Sequence, residues 1–168
     1  MKLLIIGAVG SGKTTLAKKI SAASGVPTYQ LEKILYEVTP KGRRKRSKKE
    51  LLVLLTQIDL KGPWIMEGTP RKAYAFLYGW ADKIFWLDPP VAVRGKRILK
   101  RFVKYKFLGS GEDAAPTVAA LGKDLLKNAM ANTNSSRGKL ARALAPYEDK
   151  VIHIKAAEKV QVPPPKQA

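Results

Sequence analysis

Eight consecutive residues, Gly7-Ala8-Val9-Gly10-Ser11-Gly12-Lys13-Thr14, have the types and spacing that hold a chain of phosphates. They fit G-x-x-x-x-G-K-[ST] at every fixed position. Glycines at 7, 10 and 12 let the backbone curl with its N–H groups turned inward, at φ values a side chain resists. A helix starting at the end of the loop adds free N–H groups and the positive end of its dipole. Lys13 has the reach for β- and γ-phosphates, and the Thr14 hydroxyl suits Mg²⁺. Gly7, Gly10, Ser11, Gly12, Lys13, Thr14 and Thr15 are therefore the candidate residues for binding ATP (or GTP), with Thr14 also a candidate metal ligand.

Other charged groups fall at informative places. Glu67 closes the apolar run Trp64-Ile65-Met66, and a carboxylate at a strand end is placed to hold Mg²⁺ through water. Arg71, one short turn on, can fork onto a phosphate or carboxylate. Glu32 follows a short apolar segment and is placed either to meet a substrate or metal-bound water, or simply to start a surface helix. Arg94, Arg97, Arg101 and Lys104 repeat at spacings of three and four in a stretch without acids, so they share a helix face, while Ile98, Phe102 and Tyr105 mark another. Arg137 lies by a break in the helical pattern, where it can point back into a crevice. Lys41, Arg43, Arg44, Lys45, Arg46, Lys48 and Lys49 form a dense basic run. Such a run repels itself and is expected to be a mobile loop, about 39–49, serving as a substrate flap, a nucleic-acid patch or a solvated surface. His153, the lone histidine, has no partner pattern and reads as a strand residue.

The elements that must position these groups alternate strand and helix. Apolar runs at 1–6, 26–31, 64–67, 83–87 and 151–155 read as strands. Helices are expected at 14–24, at 47–60 behind a Ser47/Glu50 capping box, at 71–80, at 90–106, at 116–131 and at 137–145. This alternation predicts an α/β fold of three layers, with about five parallel strands flanked by helices. The strand ends then face the ligand crevice.

A length of 168 residues suits one domain, here 1–160, with a Pro-rich flexible tail at 161–168. Without cysteine, neither a disulfide framework nor a thiolate metal site is open to the chain. No apolar run approaches the ~18 residues of a membrane span. Residues 1–6 enter a strand directly, with no secretory pattern, so a cytoplasmic protein without a membrane partner is expected. The formal net charge of +19 implies polyanionic partners: nucleotides, nucleic acid or an anionic surface.

With the phosphate loop, Glu67-Gly68-Thr69-Pro70-Arg71 and the basic helix in place, the chain resembles the adenylate-kinase-like P-loop kinases, which have D-G-F-P-R where this chain has E-G-T-P-R. It is most similar to the small proteins of that group known as DNA topology modulation proteins. The likeness runs from Met1 to about Val160 through Leu31-Glu32-Lys33-Ile34, Trp64-Ile65-Met66-Glu67-Gly68, Arg97-Ile98-Leu99-Lys100-Arg101 and Ser136-Arg137. The resemblance implies a five-stranded sheet, an arginine-bearing lid at about 101–116 and phosphoryl transfer from ATP. Glu replaces the family's Asp at 32 and 67, so each carboxylate reaches one methylene further.

Two readings follow. In the first, the chain phosphorylates a nucleotide, nucleoside or similar small acceptor. Lys13, Mg²⁺, Arg97, Arg101 and Arg137 neutralise the transferring group, and Glu32 and Arg71 hold the acceptor. In the second, it is a nucleic-acid-binding module with a switching or slowly hydrolysing loop, engaging nucleic acid through the basic 41–49 run. A kinase of polynucleotide 5′-hydroxyls would combine the two.

Overall fold

A computed structural model describes residues 1–40, 42–108, 117–130, 134–157 and 160. The central strand β1 (Lys2–Gly7) is followed by the phosphate loop and helix α1 (Lys13–Ser24), which ends on Gly25 in the left-handed conformation. Strand β2 (Thr28–Gln30), helix α2 (Leu31–Leu35), strands β3 (Tyr36–Thr39) and β4 (Gly42–Lys45), helix α3 (Lys48–Leu60) and strand β5 (Trp64–Gly68) come next. Helix α4 (Leu77–Trp80), strand β6 (Lys83–Leu87), helices α5 (Val91–Leu108), α6 (Val118–Met130) and α7 (Asn134–Leu144), and strand β7 (Val151–Ile154) complete the order.

Five strands form one sheet in the order β2-β5-β1-β6-β7, and every pairing is parallel. Such a sheet is covered on both faces, which is why its strands read as apolar runs rather than alternating ones. Leu4, Ile6, Trp64, Met66 and Ile84 point to a core shared with Leu35, Leu51, Leu55 and Leu77. Leu3, Ile5, Ile65 and Leu87 point the other way, onto Leu16, Ala17 and Ile20 of α1. Each fully buried side chain of this size is worth ~1.5–3 kcal/mol in transfer from water. The Trp64 indole satisfies its N–H on the Asp59 carboxylate at 2.8 Å. The result is a three-layer α/β fold. The chain fills the β2/β5 side of β1 first and the β6/β7 side afterwards, so the phosphate loop leaves β1 where the order of connection reverses.

Several expectations are corrected. The basic run is not a mobile loop: β3 and β4 form an antiparallel hairpin, with Gly42 at φ 107 and the Thr39 hydroxyl donating to the Gly42 carbonyl at 2.7 Å. The self-repulsion expected of the run is relieved at Arg44, whose guanidinium donates to both Glu37 and Glu50. These bonds hold Arg44 above its ordinary range and draw Glu50 down to about 2. The segment 71–80 is not one helix. A tight turn, Lys72–Tyr74, precedes the short α4, and the Tyr74 hydroxyl donates to the Thr69 carbonyl. The basic stripe of α5 is divided: Arg94 is buried, one turn before buried Ile98, while Arg101 is exposed. The 132–136 break contains the start of α7 at Asn134. Most of the expected lid beyond 108 and the 161–168 tail lie outside the described residues.

The Ser47/Glu50 capping box forms in both directions, which fixes where α3 begins and anchors the hairpin beside it. Among the described residues, no helix is long and apolar enough to cross a membrane.

Candidate active site

The loop adopts the glycine conformations its sequence demands. Gly10 and Gly12 have φ values of 76 and 98. A Cβ at Gly10 would lie 2.7 Å from the Arg94 carbonyl oxygen, so this residue is glycine for space as well as for φ. Helix α5 is thus packed directly against the loop. The Arg97 guanidinium donates to the Ser11 carbonyl at 3.1 Å and to the Gly10 carbonyl at 3.4 Å. Ser11 is fully buried, and its hydroxyl has no partner among the described residues. A hydrogen-bonding group inside the loop is therefore left for a ligand to satisfy.

Lys13 is buried, and its ammonium donates to the Ala8 carbonyl at 2.9 Å. Burial lowers its pKa to about 8, against the opposing pull of the nearby Glu67 and Glu32 carboxylates; Arg101 and Arg94 push it down further. Charges from three parts of the chain therefore act on this one ammonium. A triphosphate beside Lys13 favours the charged form, so binding should draw in a proton wherever the free protein has lost it. Calorimetric titration with ATP in buffers of different ionisation enthalpy should show more proton uptake near pH 9 than near pH 7, on either side of the Lys13 value. Equal uptake at both would mean Lys13 does not meet the phosphates.

Thr14 donates its hydroxyl to the Glu67 carboxylate at 2.8 Å. Glu67 is buried at the C-terminal end of β5, next to β1 in the sheet. A hydroxyl and a carboxylate side by side make a hard oxygen donor set that fits Mg²⁺. Among the described residues there is no cluster of three or more carboxylate or imidazole groups that could hold a metal alone.

On the β2 side, Glu32 lies in the first turn of α2 and Arg71 just after β5. Arg71 donates to both Glu32 oxygens, at 3.0 and 3.2 Å. Burial opposes the guanidinium charge, but Glu32 more than compensates and holds Arg71 above its ordinary range. Neighbouring Tyr74 is pushed up by burial.

On the β6 side, Asp88 accepts from Arg137 of α7 and stands 3.3 Å from the His153 ring. A cavity of about 240 Å³ lies here, walled by Gly7, Ala8, Thr69, Asp88, Arg94 and Arg137. That volume is below the ~300–1,000 Å³ of whole-ligand pockets, so it suits a phosphoryl-sized group and not an entire nucleotide. Arg101 is turned instead to Asp124 of α6, at 2.9 Å.

The structure thus brings Lys13, Thr14 and Glu67 together, with Arg97 against the loop backbone and Glu32 paired to Arg71. Arg137 reaches the crevice but is held by Asp88, and Arg101 is held by Asp124. Gly7, Gly12 and Thr15 sit in the loop and first helical turn. Sequence reasoning misses Asp88 as a site group and misses the burial of Arg94. Asp88 follows a strand, as Glu67 ends one, and that parallel was a usable signal. Arg94 precedes Ile98 by four residues, which puts it on the buried side of α5.

This geometry, a phosphate loop leaving the central strand of a five-stranded parallel sheet flanked by helices, is a three-layer α/β P-loop fold. No family model matches the chain, and no curated protein does. Among solved structures, an unliganded sugar kinase from Janibacter sp. HTCC2649 is similar over 95% of this chain and 87% of that one, at 15% identity and a TM-score of 0.49.

Proposed function

We propose that the chain is a cytoplasmic, adenylate-kinase-like phosphotransferase that moves the terminal phosphoryl group of ATP (or GTP) to an acceptor held at Glu32 and Arg71. The observation that carries this reading is the 2.8 Å hydrogen bond from Thr14 to the buried Glu67 carboxylate, next to the buried Lys13 at the end of the phosphate loop. The loop's backbone and Lys13 bind the phosphates. Thr14 and Glu67 would hold Mg²⁺, which would supply charge neutralisation at the phosphoryl oxygens. Arg97 keeps the loop's carbonyl groups turned away from the anion. Arg101 and Arg137 reach the phosphates only by leaving Asp124 and Asp88, so catalysis requires those two ion pairs to exchange. Where the acceptor is a hydroxyl, Glu32 takes its proton.

The test is ADP release from Mg·ATP over a panel of mononucleotides, nucleosides and short oligonucleotides. At least one acceptor should raise the rate well above buffer, and Glu32→Gln should remove the increase while ATP still binds. ATP binding with no stimulation by any acceptor would overturn the transferase reading in favour of a nucleotide switch.

A further inference from the structure

The β3–β4 hairpin has two unlike faces. Its register places Glu37 opposite Arg44 on one face, and Tyr36 opposite Lys45 and Val38 opposite Arg43 on the other. The first face is neutralised, because Arg44 lies between Glu37 and Glu50. The second has no acid. Arg43 and Lys45 are exposed and make no ion pair among the described residues, and Val38 is 84% exposed. The Arg43 guanidinium lies over the Tyr36 ring, 5.1 Å from its centroid. Lys48 and Lys49, also exposed and without an ion pair, continue the cationic surface into the first turn of α3, where positive charge works against the helix dipole. Stability does not explain them. Tyr36 follows directly on α2, one turn beyond Glu32, so this face borders the acceptor pair.

The Tyr36 ring is itself half-buried against the core, so the exposed plane is the Arg43 guanidinium seated on it. An exposed guanidinium plane with flanking cations and no counter-charge is the chemistry that receives single-stranded nucleic acid: the plane stacks on bases and the cations follow the phosphates. An anionic membrane would require a broad apolar face, and Val38 alone does not supply one. The Glu32–Arg71 pair is already neutral, which suits an uncharged hydroxyl better than another phosphate.

We propose that the Arg43/Lys45 face of the hairpin binds single-stranded nucleic acid and presents a terminal hydroxyl of that strand to Glu32 as the phosphoryl acceptor. This rests on the transferase reading above. The hydroxyl oxygen forms a bond to the γ-phosphorus, the bond from that phosphorus to the β–γ bridging oxygen breaks, and ADP leaves with the electron pair. The hydroxyl proton passes to the Glu32 carboxylate and then to water.

The test uses the full chain, Mg·ATP and a fluorescent single-stranded oligonucleotide of about ten nucleotides, with its 5′- or its 3′-terminal hydroxyl blocked in separate arms. Single-strand affinity should fall with salt at a log–log slope of about 3, from ~0.7 for each of the phosphates met by Arg43, Lys45, Lys48 and Lys49. The double variant Arg43→Glu/Lys45→Glu should lose about tenfold or more in affinity and roughly half of that slope, with ATP affinity unchanged. Label from the terminal phosphate should appear at one end of the strand, and blocking that end should abolish it. Oligonucleotide binding indifferent to the double variant, or its absence at low salt, would overturn the proposal, as would anionic vesicles capturing the chain in preference to the strand. If mononucleotides are phosphorylated and strands are not, this proposal fails while the transferase reading stands; if nothing is phosphorylated, that reading fails first.

Discussion

Lys13→Met should lower Mg·ATP affinity by roughly ten- to a hundredfold, since hydrogen bonds to a charged group are worth about 1.5–3 kcal/mol. The same change should leave the fold intact. The Lys13 ammonium is buried and has a pKa of about 8 in the folded chain, against 10.5 when free. Between these values the unfolded chain binds more protons than the folded one, so the native state gains stability as pH rises from about 8 to 10.5. Below that window the full cost of burying the charge is present. Methionine fills the same space without the charge, so the unliganded variant should melt at or above the native protein at neutral pH, the difference narrowing towards pH 10.5. Calorimetric titration and thermal melts test both halves. Equal ATP affinity would remove Lys13 from the ligand's contacts, and a variant melting far below the native protein would contradict the burial account.

Glu67→Gln should lower kcat by about 10–100-fold, the range for groups that act on a metal through its other ligands, and should change ATP affinity little. The amide oxygen of glutamine can still accept from Thr14, so the 2.8 Å bond across the crevice has a substitute. What is lost is the negative charge that attracts the cation. Steady-state kinetics against Mg²⁺ concentration distinguish this from misfolding: the variant should require more Mg²⁺ for half-maximal rate. An unaltered rate and Mg²⁺ dependence would mean that Glu67 serves the loop alone.

The parts legible in the sequence are those set by local rules. The loop, the Gly25 stop and the Ser47/Glu50 cap each depend on residues within one or two turns, and the apolar strands of a covered parallel sheet announce themselves by composition. The hairpin was illegible because seven cations in nine positions obscure the fact that Glu37 lies across from Arg44 and Glu50 beneath it. Pairing, and not charge density, decides whether such a segment is ordered. The burial of Arg94 and the tether of Arg101 to Asp124 were hidden for a related reason. Helical spacing shows which residues share a face but not what that face meets, and here α5 meets the phosphate loop through Arg94 and Arg97 and α6 along its length, from Val91 to Arg101.

The register of β1 has a kinetic consequence. Lys2 lies beside Trp64 and Leu3 beside Lys83, so the central strand has no partner closer than about sixty residues along the chain. At the ribosome, where synthesis runs at ~5–20 residues per second, the apolar run Leu3-Leu4-Ile5-Ile6 waits roughly 3–12 s for β5 and 4–16 s for β6 to be made. Until then, neither face of the sheet can close. α1, α3 and the β3–β4 hairpin are local and can form within that interval, but the phosphate loop acquires its anchor on α5 only after the second half of the chain has emerged. A nascent chain halted before β6 should therefore lack nucleotide affinity and remain dependent on chaperones, although every residue of the loop has already been made.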